Sequence, residues 1–424
     1  MISLIVLGII AWWIYFLFIR LQAASHPAFL FSIYWFAILV FAEILSGHQL
    51  NIDFAAIYIL AAVLAFSGPA LLFKRVAMPV HNSIDNKPRF LSMVFIVLLI
   101  VVITGIIFHI QAQGLSITTA LKEPDKFGGD FIGLRYNGKV VSTLYIQIAT
   151  SLNFVCASIC GLIVANDRRY FTPALFTIAA FIPSITTMFL LGDKGTLPQS
   201  IAFYCGGLFV GWIKEGKTSI MTKRTALFFS IGICVLIPIV IIAMIIKIIG
   251  KFQIPNSQII ESLQDYLRSY SIGGVYAFSD WLRWHVFEQQ VNTNYIQQTD
   301  TLGVLTFWGL AKYLPTTYQM PAGYYLEYFE VEGVVRTNVY TAFRGLIIDF
   351  SLPGSLIFLS GLGYASAATY RSMLLKYSAL SQTFYIVLIG AIYASSFISL
   401  GTWSSPFVAT VLLFLILYRC SLRY

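Results

Sequence analysis

Charge is scarce in this sequence. Only 11% of its 424 residues are Asp, Glu, Lys or Arg, while 58% are hydrophobic, and the mean hydropathy is +0.81. An ordinary soluble domain carries about 25% charged residues, so a water-soluble globule is excluded. Strand-like alternation is also missing, which argues against a membrane β-barrel. Cysteine is sparse: Cys156, Cys160, Cys205, Cys234 and Cys420 lie in apolar runs or at the C-terminal end. Neither a disulfide framework nor a zinc site is supported by that placement. No basic residue precedes the first apolar run, since Arg20 follows it, so the first span is expected to be retained rather than cleaved as a signal. Walker glycine loops, a G-x-S-x-G elbow, an H-E-x-x-H motif and acidic metal clusters are all wanting. An enzyme of this sequence is expected to work without ATP, metal or other cofactor.

What the sequence does have is apolar runs of about 20 residues, the length of a membrane-crossing helix. The fold class is therefore all-α, a polytopic integral membrane protein. Eleven spans are expected, at roughly 2–19, 28–46, 55–73, 90–110, 141–165, 170–192, 196–213, 225–249, 352–369, 383–402 and 406–418. The net charge of +9 does not point to nucleic acid, because the excess is confined to the short loops of one face. Arg20, Lys74, Arg75, Lys87, Arg89, Arg168, Arg169, Lys214, Lys217, Lys223, Arg224, Arg371, Lys376, Arg419 and Arg423 fall there, opposed only by Asp85, Asp167 and Glu215. The positive-inside rule makes that face cytoplasmic. A bacterial inner-membrane protein with its N-terminus periplasmic and its C-terminus cytoplasmic is expected, as a single transmembrane domain over 1–424.

Two outer loops stand out, at about 111–140 and 250–351. The second is rich in Tyr and Trp, too aromatic for a disordered linker. It is expected to fold on the membrane surface, with amphipathic helices at Gln258–Tyr270 and Val275–Gln289. No internal repeat is evident, and transporters commonly carry one.

Three stretches could carry chemistry. The first runs Arg336-Thr-Asn338-Val-Tyr340-Thr341-Ala-Phe-Arg344 and continues through Asp349 to Gly354. Ionisable groups at the mouth of a span are costly, and Arg344 suits a phosphate by charge-assisted hydrogen bonds. The plain alternative is an arginine snorkelling to lipid headgroups, with Asp349 as a helix-end partner. The second is Gly192-Asp-Lys194-Gly195, where a lysine between glycines leaves room for a phosphate, or else simply tips a tight turn. The third is Phe278-Ser-Asp280-Trp281-Leu-Arg283-Trp284-His285. Trp281 and Trp284 offer stacking faces for sugars, and Asp280 or His285 could take a proton from a sugar hydroxyl. An aromatic belt at the interface is the alternative there. Arg135, Arg268 and Arg283 could add positive charge to the same cavity.

The stretch Asn338-Val-Tyr-Thr-Ala-Phe, followed by Leu-Ile-Ile-Asp349-Phe and Gly354, resembles the late signature of bacterial oligosaccharide repeat-unit polymerases, the O-antigen polymerase (Wzy) group. The Gly192–Gly195 turn resembles that family's glycine–basic–small turn, with Lys194 where arginine is usual. The resemblance implies a periplasmic-face glycosyltransferase of lipopolysaccharide biosynthesis. It would move a growing glycan from undecaprenyl pyrophosphate onto the terminal sugar of a new lipid-linked repeat unit. Lys194, Asn338, Tyr340, Thr341, Arg344 and Asp349 are the positions it carries over, and a chain-length regulator and a flippase are partners it implies. An O-antigen ligase uses the same donor with a lipid A core acceptor. A lipid-linked oligosaccharide flippase is the reading from a different class, expected to show short loops and charges inside the bilayer. Asp280→Asn and His285→Ala are expected to separate the two bases, and Arg344→Ala to abolish chain growth without affecting insertion.

Overall fold

The computed structural model describes residues 2–46, 50–74, 88–123, 127, 130–131, 133–134, 139–141, 143–166, 171–193, 195–214, 216, 268–269, 272–288, 301–315, 325, 327–331 and 335–421. Among these, eight helices are long and apolar enough to cross a membrane: Ile2–Leu21, Pro27–Leu45, Asp53–Leu72, Arg89–Ala112, Leu144–Ala165, Pro173–Leu190, Ala342–Lys376 and Ser404–Ser421. The chain is thus an all-α, multi-span membrane protein. Its described strands are Phe329–Val331 (β1) and Val335–Thr337 (β2), an antiparallel pair in which Glu330 faces Arg336.

The eight coincide with eight of the eleven expected spans. Span 225–249 lies outside the described residues. Span 196–213 forms a helix, Thr196–Lys214, but its Thr, Gln, Ser and Gly residues dilute its apolar character. Span 383–402 is covered in part by the apolar helix Ala379–Ala394, which has 16 residues. At its end Ser395 Oγ donates to the Ile392 carbonyl at 2.6 Å and Ser396 Oγ to that of Tyr393 at 3.3 Å. Such side-chain bonds compete with the helix ladder.

Two compact units divide the chain. The first comprises residues 1–78, 264–377 and 388–407. Its helices are tied by polar contacts in an apolar setting: Ser3 N donates to Asp53 Oδ1 at 2.8 Å, Trp13 Nε1 to Ser67 Oγ at 2.7 Å, and the Tyr58 and Ser355 hydroxyls meet at 2.7 Å. Trp35 and Phe343 pack with ring centroids 4.7 Å apart, and Tyr58 bridges Phe343 and Phe278. Gly363 lets the Ala342–Lys376 helix lie directly on the backbone of Phe66, where a Cβ would collide.

That long helix is two helices joined at a break. Ser351 has φ 64° and ψ 171°, and Pro353 follows. Proline removes an amide and crowds the preceding turn, while a serine at positive φ is strained. The result is a nine-residue leading segment, Ala342–Phe350, whose residues are buried through Asp349.

The helix expected at Val275–Gln289 also differs from a surface helix. It runs Gly273–Leu282 and passes into a π-turn over Arg283–Phe287. Every residue of Gly273–Leu282 except Asp280 is buried. A Cβ on Gly274 would sit 3.0 Å from the Ser396 carbonyl oxygen, so the two glycines at its start admit it into the core. The partner helix expected at Gln258–Tyr270 lies outside the described residues apart from Arg268 and Ser269.

The second unit comprises residues 79–263, 378–387 and 408–424. Leu144–Asn166 and Thr196–Lys214 are pressed together through Gly161, Gly207 and Gly211, each of which faces backbone or Ala165 too closely for any Cβ. Small residues four apart permit this approach in membranes, where packing rather than water exclusion drives association. Asn153 adds a polar tie, donating through Nδ2 to Ser184 Oγ at 2.7 Å and Ser200 Oγ at 2.8 Å.

Candidate functional site

The first unit gathers the charged residues of two sequence-distant stretches around Arg344. This arginine stands on the first turn of Ala342–Phe350 and is wholly buried. Its Nη2 donates to Glu327 Oε1, an ion pair in which the glutamate side chain is itself only 4% exposed. Three rings surround the guanidinium, with centroids 4.0 Å (Tyr325), 4.1 Å (Tyr340) and 5.2 Å (Trp281) from its Cζ. Tyr325 and Tyr340 meet edge to face at 4.9 Å. The arrangement is an aromatic cage closed by one carboxylate.

Burial raises the Tyr340 hydroxyl above its usual range and outweighs the opposing charge of Arg344, so Tyr340 is a neutral phenol. Thr341 is buried at the head of the helix, and its Oγ1, like Glu327 Oε2, has no hydrogen-bond partner among the described residues. Buried polar oxygens ordinarily find a donor, so these two mark a place where another group can be received.

The Asp280–His285 stretch borders the cage. Trp281 is 1% exposed, with His285 stacked at 5.0 Å and Phe278 at 6.1 Å. Buried, it serves the cage, and Trp284, half-buried, is the more accessible tryptophan of the pair. His285 is exposed, and its pKa is lowered from 6.5, first by desolvation and then by the Arg344 charge. A neutral imidazole at pH 7 has a lone pair able to accept a proton. Asp280 is partly exposed on the same helix.

Other sequence-derived candidates sit apart from the cage or support it. Asp349 is 2% exposed and accepts from Thr301 Oγ1, from Leu305 N at 3.1 Å and from Thr306 N at 2.6 Å. Its carboxylate is saturated by the 301–306 turn, which makes it an anchor for that loop. Arg336 faces outward on β2, paired at 3.4 Å with Glu330 and over the ring of Tyr328. Arg283 is 44% exposed and donates through Nε to Glu288 at 2.6 Å. Asn338 Nδ2 reaches the Tyr325 carbonyl at 3.4 Å, fixing the chain that delivers a cage ring. Arg268 is half-buried.

Arg135 and Lys194 lie outside the described residues. Around the latter, Asp193 Oδ1 accepts from the amides of Gly195 at 3.1 Å and Thr196 at 3.4 Å, so the turn caps its own helix in the manner of an aspartate N-cap. Sequence reasoning missed Glu327 as the partner of Arg344. The acid lies 17 residues upstream, beyond any helical or hairpin spacing that would have paired the two. Among the described residues no group of three or more His, Cys, Asp or Glu is placed to hold a metal.

Comparison with family models, with curated proteins and with solved structures finds no match for this chain.

Proposed function

We propose that the chain is a bacterial inner-membrane glycosyltransferase that polymerises lipid-linked oligosaccharide repeat units at the periplasmic face. One observation carries this reading: residues 280–285, 325–327 and 340–344 converge on a buried arginine at the head of an apolar helix. In the reaction, Arg344 holds the pyrophosphate of the undecaprenyl-linked donor glycan. The acceptor repeat unit presents its terminal sugar hydroxyl beside His285 and Asp280, with Trp284 under the ring. The hydroxyl oxygen attacks the donor's anomeric carbon, the bond from that carbon to the pyrophosphate oxygen breaks, and the hydroxyl proton passes to the base. The electron pair leaves on the lipid pyrophosphate, whose charge the guanidinium offsets. Arg268 and Arg336 are secondary cations of the first unit in this reading. The orientation with the N-terminus periplasmic and the C-terminus cytoplasmic places the site outside.

The test is the gel profile of surface lipopolysaccharide in a deletion strain complemented with wild type or with Arg344→Lys. Lysine keeps a charge opposite Glu327 but has no planar fork and does not stack. A single-repeat band in the deletion strain, restored to a ladder by wild type and not by the lysine variant at equal protein level, is expected. Long chains persisting in the deletion strain overturn the polymerase. Free lipid-linked polymer with an undecorated core instead identifies a ligase.

A further inference from the structure

A carboxylate fills the position that the proposed donor needs. Arg344 is wholly buried and its ion pair with Glu327 is inside the cage, so no phosphate reaches the guanidinium while Glu327 remains. We infer that Glu327 is an internal stand-in for the donor's pyrophosphate: it occupies the anion seat at rest and is displaced when the lipid pyrophosphate enters. This rests on the reading of Arg344 as the pyrophosphate-binding residue and adds the residue that sets the selectivity of that seat.

Three features support the exchange. Replacing one anion with another keeps a negative group against the buried guanidinium throughout, whereas simple departure of Glu327 would remove its buried carboxylate partner uncompensated. Glu327 is also only half used as an acceptor, since its Oε2 has no hydrogen-bond partner among the described residues. Thr341, three residues before Arg344, has a hydroxyl whose Oγ1 is likewise buried without a partner among them, a donor that an incoming oxyanion can use. Finally, Glu327 is tethered weakly. It precedes the three-residue strand β1, whose pairing with β2 is the only ladder there among the described residues, and a two-stranded ribbon is marginal alone. The Asn338 bond to Tyr325 O beside it is long, at 3.4 Å. The Tyr340 and Trp281 rings, by contrast, are carried on other segments and hold the arginine whichever anion is present. Such rings favour a flat, delocalised cation.

The exchange predicts that removing the stand-in tightens anion binding. Purified full-length protein in detergent is titrated with inorganic pyrophosphate and with geranyl pyrophosphate, and affinity is read by calorimetry and by thermal shift. Glu327→Gln is expected to bind both at least tenfold more tightly than wild type. Its melting temperature is expected to fall without ligand and to recover on adding pyrophosphate, a rescue that a merely structural glutamate would not give. Should Glu327→Gln not accumulate, Glu327→Asp retains the charge with a shorter reach, and tighter binding than wild type is expected of it too. Glu330→Gln, three residues along on the exposed strand, is expected to bind as wild type. Equal or weaker binding in both Glu327 variants, with Arg344→Lys still losing affinity, overturns the stand-in while leaving the Arg344 site intact. Unchanged affinity in Arg344→Lys overturns the site itself, and a gain confined to inorganic pyrophosphate overturns the assignment to a lipid carrier.

Discussion

A guanidinium withdrawn from water forfeits its hydration, and Arg344 recovers that loss from four neighbours at once. Burying an ion costs several kcal/mol even after relaxation. One buried carboxylate and three ring faces, each ring contributing roughly 0.5–2 kcal/mol when desolvated, are of the size needed to offset it. Removing one partner is therefore a different experiment from removing a surface charge. Arg344→Ala leaves Glu327 buried and alone, which is why the charge-keeping lysine is the cleaner probe of activity. The same cage acts on His285. Desolvation and the nearby positive charge lower its pKa from 6.5, so protonation is delayed and the neutral, basic form persists into more acid solution. If His285 is the base, the acid limb of kcat/KM for glycan transfer falls below pH 6.5, and His285→Gln removes that limb along with most activity. A limb retained unchanged in that variant assigns the base to Asp280.

At the level of elements, the leading segment Ala342–Phe350 is a short rod with a different load at each end. Arg344 at its start meets the Glu327 segment, and Asp349 at its end meets the 301–306 turn. Asp349→Asn keeps the size but brings an amide to face the two backbone amides, at a cost of about 1–3 kcal/mol for the lost charge-assisted bonds. Faster hydrogen exchange at residues 301–307, with the cage tryptophan Trp281 still buried, is the expected result. Protection unchanged in that loop would remove Asp349's anchoring role. Much of this was legible in the sequence at coarse grain. Apolar run length located eight of the spans, and the Arg336–Gly354 stretch was singled out because charges rarely stand beside a span without cause. The ion pair was not legible, because it joins residues whose separation has no local periodicity. Nor was the burial of Gly273–Leu282, whose Trp281 and Asp280 match a surface helix equally well. Two adjacent glycines at its start were the signal that it enters a tight space.

For the whole molecule, close helix contact is concentrated at glycines in each unit. Gly207 and Gly211 sit one turn apart against Leu144–Asn166, and Gly363 sits against Phe66. Neither contact can be relieved by a rotamer change, since Gly207 and Gly363 face backbone and Gly211 faces the Cβ of Ala165. Gly207→Leu is expected to separate its helices and to lower stability in detergent by more than about 2 kcal/mol, through overpacking, seen as a lower melting temperature and aggregation on size exclusion. A substitution tolerated without either change would mean the helices slide to make room. This spreading of small residues also explains why the Thr196–Lys214 segment reads as a weak span: residues chosen for fit rather than for lipid solubility reduce its apolar character.

The break at Ser351 also fixes a depth. From Leu352 to Tyr370 the helix is apolar over about 28 Å, close to the roughly 30 Å of hydrocarbon in a bilayer. If that stretch fills the oily layer, Ser351 stands at its rim and Arg344, seven residues earlier in the chain, stands near the level where lipid phosphates ride. On the proposed reading, a polyprenyl carrier moored by its tail would bring its phosphates to this level without being lifted from the membrane. The sugar chain, rather than the lipid, would then do the travelling, and bilayer thickness would become a setting that tunes transfer.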